Sequence, residues 1–490
     1  MEHLDVVVVG AGIGGLGSAL ALARAGHTVT VVERDDTPMP PDPEAAFEWD
    51  RRGAPQVRHP HVFLGLARVI LRDRFPDVLD VLAGYGIEPP PPGTGPDLMM
   101  DEATRAVIEA DDDLRMLPCR RTTFEWVMRK TVLAEAGVTL LVGQGVDGLE
   151  LRTGVDGPPQ VTGVRLEDGT VLPADVAVVA TGRRGDVPAW AAEHDVEIPE
   201  TVSDTEVVYI SRWYRSPSDE HFGFRGAFGA GIGCGVIGAD HGTYSITAVV
   251  DRYDRELRAH LNDSDRFEAT MRLLPELKDV FEADGTPIQP VHTMTGLINR
   301  TRSFTTDDGT PRIVGLAAVG DSHTCTNPAY GRGMSLALRQ ATFLADSLAK
   351  ADDLTEAGRD YEAAAVEHIE PWYHFSVLTD QMRAAANKKA AEKRAAKKAD
   401  GGSGSGGSSG LPVGGAGDFG SLFMNALGNP EAIRKVLRVM NLLEPPATLI
   451  PMIMEAQAAG PPSGPPTAGP WAVDRSIKRP SRADLLAVVA

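Results

Sequence analysis

The 490-residue sequence holds only three cysteines, Cys119, Cys234 and Cys325. Odd in number and far apart, they offer neither a disulfide framework nor the spacing of a metal site, and a reducing, cytoplasmic setting fits that usage best. Positive charge is also in short supply: 48 Lys and Arg stand against 68 Asp and Glu, a formal net charge of −20. A field of that sign repels phosphate backbones and argues against nucleic acid as a partner. Long apolar runs are scarcer still. The one from Val6 to Ala23 carries five glycines, and Glu2 and Asp5 precede it where a basic leader would stand. The glycines disfavour a spanning helix and the missing leader disfavours a signal peptide, so the run reads as a buried strand followed by a helix. No other transmembrane segment and no internal repeat is found. What remains is 42% hydrophobic and 24% charged residues, enough chain for two or three globular domains.

The first unit reads β-α-β: a strand at Asp5–Val9, a helix at Ile13–Ala25, and a strand at Thr28–Glu33 after the Gly26 stop. Further on, helices are expected at Val62–Phe75, Arg121–Ala136, Arg255–Leu274 and Gly333–Lys350. Strands are expected at Thr139–Val142, Val176–Ala180 and Arg312–Val319, with a hairpin at Val161–Leu166 and Thr170–Leu172 over Glu167-Asp168-Gly169. Glu206–Val250 turns to strands and is the candidate substrate sheet. The pattern places a cofactor domain at 1–95, 118–200 and 291–350 and a substrate domain at 96–117 and 201–290. A helical extension follows at 351–400, with a separate Ala/Lys/Arg helix expected at Met382–Lys398. A Gly/Ser linker spans 401–415, and a helical segment with a tail spans 416–490. The fold class is α/β, a discontinuous Rossmann-like domain beside a sheet-rich domain and a helical C-terminal region.

The strongest local motif is GAGIGG, with Gly10, Gly12 and Gly15 between a strand and a helix. Gly10 permits the tight turn, Gly12 lets a pyrophosphate approach the backbone, and Gly15 lets helix and strand pack closely. Glu33, followed by Arg34, ends the next strand, where its carboxylate can accept hydrogen bonds from ribose hydroxyls. These residues indicate a dinucleotide but do not separate FAD from NAD. A second motif, GDSHTCTNPAYGRGMSLA at 320–337, makes that separation.

Here the sequence resembles the para-hydroxybenzoate-hydroxylase-like flavin monooxygenases. The resemblance implies that Asp321 binds the ribityl chain of FAD. It also implies that Pro328, Gly331, Gly333 and Met334 run beside the isoalloxazine and open a helix toward it, favouring the negative charge of reduced flavin. Arg121-Thr-Thr-Phe-Glu125 and Ala180-Thr-Gly182 match two further family segments, the arginine reaching the flavin phosphates. Asn327–Met334, Arg58-His-Pro-His61 and Thr181–Trp190 are similar to the branch containing the flavin epoxidases of polyether-antibiotic biosynthesis.

What the resemblance implies chemically is oxygenation by FAD through a C4a-hydroperoxide, with NAD(P)H as electron donor and a mostly apolar small molecule as substrate. The Asp-Gly dipeptide of single-component hydroxylases is missing from Ala180–Asp186, which leaves NAD(P)H to deliver electrons either directly or through a separate flavin reductase. Halogenase relatives need a lysine in the N-terminal third and a Trp-x-Trp; the first lysine here is Lys130, and no Trp-x-Trp occurs. A flavin-dependent reductase of isoprenoid double bonds and a non-catalytic flavin-binding protein stand as alternatives. His59 and His61 have no acidic or cysteine companions for a metal. His323 and Cys325 read as structural neighbours of Asp321, and no catalytic side chain is assigned.

Overall fold

A computed structural model of the chain describes residues 3–90, 102–153, 157–217, 224–229, 232–399, 426, 429–459 and 480–488. The expected Gly/Ser linker lies outside these residues. A five-stranded parallel sheet runs β16-β7-β1-β2-β3, formed by β1 (Asp5–Val9), β2 (Thr28–Glu33), β3 (Val138–Val142), β7 (Val176–Val179) and β16 (Leu316–Ala318). Its inner strands are near-continuous valine because both faces are covered, as parallel sheets require. The expected strand at Arg312–Val319 is shorter than its sequence pattern. Gly315 turns at φ +80°, where a Cβ would lie 2.5 Å from the Asp175 carbonyl oxygen, so pairing begins only at Leu316.

Helices α1 (Ile13–Arg24), α5 (Arg121–Ala134) and α10 (Gly333–Lys350) cover one face, and α2 (Gly65–Arg74) and α3 (Pro76–Gly84) extend the same core. The other face carries the antiparallel unit β4 (Val146–Arg152), β5 (Gln160–Leu166) and β6 (Val171–Pro173), together with α6 (Val187–Ala192).

The second large sheet is antiparallel, in the order β10-β11-β12-β9-β13, with β14 also on β9. Its strands are β9 (Val207–Arg215), β10 (Phe224–Gly229), β11 (Ile232–Gly238), β12 (Thr243–Asp251), β13 (Thr286–Pro287) and β14 (His292–Met294). Alternation divides its residues cleanly. Val208, Ile210, Val236, Ile246 and Ala248 face a core closed by α7 (Arg255–Leu261), α8 (Ser264–Arg272) and α9 (Lys278–Glu282). Tyr209, Ser211 and Trp213 lie on the opposite face, where their polar atoms bond to Asn327, His59 and Arg58. The single helix expected at Arg255–Leu274 is two, because the Asp263 side chain caps a new start by accepting from Asp265 N and Arg266 N. A small sheet of β8 (Glu200–Asp204), β15 (Ile298–Arg302) and β17 (Thr324–Cys325) lies beside the second motif, and a buried Arg120–Asp240 ion pair at 2.8 Å ties α5 to the loop after β11.

The C-terminal region is part of the body. Helices α4 (Glu102–Glu109), α11 (Leu354–His368) and α12 (Glu370–Ala399) pack on the main unit, and Met382–Lys398 is the far end of α12 rather than a separate helix. The helix Pro430–Met440 docks on α4, with Arg434 and Arg438 on the buried Asp111. Asn441 then accepts the Gly65 N–H at 2.8 Å, capping α2 from 376 residues away. Leu485, in the helix Arg482–Leu486, is fully buried in the core of the antiparallel sheet. Among the described residues no helix is long and apolar enough to cross a membrane.

Candidate functional site

The turn from β1 into α1 has the shape its glycines call for. Gly10 sits at φ +103° and donates its N–H to the Val32 carbonyl at 2.8 Å; a side chain there would press on Ala180. A Cβ on Gly15 would come within 1.8 Å of the Gly10 carbonyl oxygen, whereas one on Gly12 would meet nothing within 4 Å. Gly12 therefore borders open space at the start of a helix that has no capping side chain and no acid in its first turn. Such an end presents free N–H groups and the positive pole of the helix to an anion.

Beside it lies a buried charge network. Glu33 accepts the Ala11 N–H at 2.9 Å and the Asp35 N–H at 2.9 Å. Arg51, 3% exposed, donates to Asp35 at 2.9 Å and Glu125 at 3.1 Å and lies 3.5 Å from Glu33. Arg121, one helical turn before Glu125, donates two hydrogen bonds to it at 3.0 and 3.1 Å. Burial works against the Glu125 carboxylate, but Arg121 and Arg51 outweigh it and hold its pKa below the usual range. Arg34 remains exposed on the strand end, and the interior cation is Arg51.

The second motif reaches the same place from the other end of the chain. Gly320, at φ +65°, donates to Gln340 at 2.8 Å and turns the backbone out of β16. Asp321 is only partly covered, yet burial raises its carboxyl, while Arg121, Arg183 and Arg300 pull it back. Its Oδ1 is 3.6 Å from where a Cβ on Gly333 would stand. Asn327 starts the turn by accepting from Ala329 N at 3.0 Å, Pro328 is exposed, and Gly331 closes the turn at φ +64° against Val62. Arg332 then precedes α10. Met334 sends its side chain into the main core, so only its backbone is available in the first turn of α10.

The loop 58–62 lies between this segment and the antiparallel sheet. Trp213 Nε1 donates to the Arg58 carbonyl at 3.0 Å, and Ser211 Oγ meets His59 Nδ1 at 2.8 Å. His61 Nδ1 bonds the His59 carbonyl at 2.9 Å, leaving Nε2 to accept from Arg121 Nη1 at 3.4 Å. Burial pushes the His59 imidazole down to about 4, and burial with the neighbouring Arg121 pushes that of His61 well below its usual range. Both rings are neutral at pH 7. Thr247 Oγ1 donates to Ser211 Oγ at 2.8 Å and Ser245 Oγ lies 3.1 Å from Thr247, so a chain of hydroxyls runs across β9 and β12 to His59.

His323 is fully buried, bonded to Thr324 and to Glu362 at 3.3 Å and stacked on Phe304. Cys325 is buried, with its thiol on the Ile298 carbonyl and pushed well up by burial and Asp321. Sequence reasoning did not single out Arg51, Ser211 or Asp380, and it named Glu125 only as the end of a matching segment, with no role. Only Glu125 left a signal, the i, i+4 spacing that sets a carboxylate under Arg121. Arg51 stands in an irregular loop, and its partners are 16 and 74 residues away.

Residues 5–39 match the family model described as FAD dependent oxidoreductase. Protein Rv3254 of Mycobacterium tuberculosis is 28% identical over 370 residues, which cover 70% of this chain and 72% of that protein. Among solved structures, PqsL, a probable FAD-dependent monooxygenase from Pseudomonas aeruginosa, is 17% identical with a TM-score of 0.56, covering 89% of this chain and 99% of PqsL. The flavin-dependent brominase Bmp2 is 15% identical with a TM-score of 0.58, covering 93% of this chain and all of Bmp2. The α/β architecture expected from the sequence is the one these structures share.

Proposed function

We propose, from the premise that this chain is an FAD-dependent oxidoreductase, that it is a monooxygenase acting on a mostly apolar small molecule by epoxidation or hydroxylation. One observation carries the reading: Gly10–Gly15 with Glu33, and Asp321 with Gly331–Gly333, come from opposite ends of the cofactor unit, α1 packs directly on α10, and Arg121 acts on Asp321 while bonding Glu125, which shares Arg51 with Glu33. FAD needs both ends, because it has an adenosine ribose and a ribityl chain. NAD lacks the second, and FMN lacks the first. Glu33 would hold the ribose hydroxyls, the open N-terminus of α1 at Gly12 with Arg121 the pyrophosphate, and Asp321 the ribityl chain, with α10 opening beside the ring. When bound, FAD supplies the redox chemistry that passes one oxygen atom of O2 to the substrate.

The chain's own residues supply orientation and dryness. The middle of the face of β9 and β12 turned toward the cofactor unit carries Tyr209, Ser211, Trp213, Ser245 and Thr247, polar but uncharged, with Arg215 and Asp251 at its two ends. With Thr247 donating to Ser211 and Ser211 in turn donating to His59 Nδ1, the ring proton of the neutral imidazole would sit on Nε2. That N–H is a donor on a nearly buried ring, suited to a carbonyl or hydroxyl oxygen of an otherwise apolar substrate. The missing Asp-Gly dipeptide supports delivery of electrons by a separate flavin reductase, with NADPH alone reducing the protein slowly.

The test is anaerobic reduction followed by mixing with labelled O2 and a panel of isoprenoid, polyketide and phenolic compounds. Incorporation of one labelled oxygen atom into product is the expected result. Anaerobic reduction of a substrate double bond instead would overturn it, and rapid stopped-flow reduction by NADPH alone would overturn the reductase step.

A further inference from the structure

Helix α12 belongs to no dinucleotide motif, yet it holds the second one. Asp380, 3% exposed, points from α12 into the turn at 327–332. Its Oδ1 accepts from Asn327 Nδ2 at 2.8 Å, Tyr330 Oη at 2.9 Å and Arg383 Nη2 at 3.2 Å. Its Oδ2 accepts from Asn299 Nδ2 at 2.8 Å. The two asparagines are joined in turn, since Asn327 N donates to Asn299 Oδ1 at 2.7 Å. Tyr209, from the cofactor-facing side of β9, donates to Asn327 Oδ1 at 2.9 Å. One carboxylate thus gathers β15, the turn and, through Asn327, the antiparallel sheet.

A second contact from the same helix grips the end of the turn. The buried Arg332 guanidinium lies 4.4 Å from the Tyr330 ring and 5.1 Å from the rings of Trp372 and Phe375, and it donates to Ser376 Oγ at 2.5 Å. Burial lowers its pKa to about 10, so it keeps its charge at neutral pH. Asn327, Tyr330 and Arg332 thus each spend their side chains on α12.

We propose that Asp380 is a positioning residue of the flavin site: by fixing Asn327 and Tyr330 it sets the turn Asn327–Gly333, and with it the direction in which α10 opens toward the cofactor. The proposal rests on the reading of the site as a flavin site and deepens it, adding a helix outside the Rossmann-like unit. A buried carboxylate with four donors cannot be removed without orphaning them, and hydrogen bonds to charge are the costly ones to lose. The turn has few other ties, with Pro328 and Ala329 exposed.

The test compares Asp380→Ala, Asp380→Asn and the remote control Arg434→Ala in the protein as purified, by amide hydrogen exchange over 327–334 and by FAD affinity. In Asp380→Ala, exchange of that segment should rise and FAD affinity should fall, each by roughly tenfold or more. Asp380→Asn keeps an oxygen for the three Oδ1 donors and should fall between. Arg434→Ala removes one of the two arginines on Asp111 and should lower the melting temperature without either effect. If the alanine variant does not fold, Asp380→Asn and Tyr330→Phe carry the test, each with about a threefold rise in exchange. Lowered melting temperature with unchanged exchange at 327–334 and unchanged FAD affinity would overturn the proposal. A wild-type protein that binds no FAD would refute the flavin reading, while the exchange data would still decide whether Asp380 sets the turn.

Discussion

The two sides of the candidate cofactor cleft are comparably buried and oppositely built. On the dinucleotide side, Glu33, Asp35 and Glu125 surround Arg51, Arg121 adds a second cation to Glu125, and charge is met by charge. On the sheet side, Ser245, Thr247, Ser211 and His59 form a chain with no charge at all. Under the proposed function, the difference matches what each side would do. A pyrophosphate brings two negative charges and needs fixed cations and N–H groups. An apolar substrate brings none, and a stray ion facing it would keep water where oxygen transfer requires its exclusion. Burial alone does not predict polarity.

Arg51→Ala is the hardest blow to this contrast. It leaves three carboxylates with no central cation and should cost about 3–5 kcal/mol of stability, measured by chemical denaturation. A loss under about 1 kcal/mol would mean that the network is hydrated and that the two sides differ less than their contacts indicate.

Acid should expose the neutral side next. Between about pH 6.5 and about pH 4 the unfolded chain binds a proton at His59 that the folded chain refuses, so this contribution is complete above pH 6.5 and is lost as pH falls through that window. The loss amounts to up to about 3 kcal/mol, and His61 acts in the same direction. His59→Gln should flatten the pH–stability curve there. An unchanged curve would show that the imidazole is not held neutral.

Asp321→Ala should weaken FAD binding by roughly tenfold, the scale of a hydrogen bond to a charged group, while leaving the fold intact. Unchanged affinity by titration of the apoprotein would separate Asp321 from the ribityl chain. The mildest change is Ser211→Ala, which breaks the hydroxyl chain and should cost about 1 kcal/mol without altering FAD affinity. An effect on FAD affinity as large as that of Asp321→Ala would mean that the sheet side also serves the cofactor.

Where local periodicity and glycine geometry decide the structure, the sequence was readable to the residue. β2 and α10 have the ends expected of them, and α1 and the hairpin differ from theirs by a residue or so. Short or Pro-started elements such as α3, β8 and β15 carried too little pattern to be seen. Arg255–Leu274 was read as one helix because the cap that divides it, Asp263, looks like any surface acid. The motif residues were legible, but the groups that hold them were not. Arg51 and Asp380 act across distances in sequence that no window spans, and the polar far end of α12 concealed the buried half that carries Asp380.

The cap that Asn441 places on Gly65 has a consequence in time. A chain made from its N-terminus exposes α2 long before residue 441 exists, so the first N–H of α2 must wait for nearly the whole molecule. The loop 58–64 leads directly into that helix. The cofactor unit is therefore completed late, by a contact of very high sequence separation that forms slowly. A chain halted before residue 441 would carry every glycine of the dinucleotide motifs and still lack a finished α2. Nascent chains of that length should remain open to proteolysis around residue 65, a state in which N-terminal folding is held back by the C-terminus.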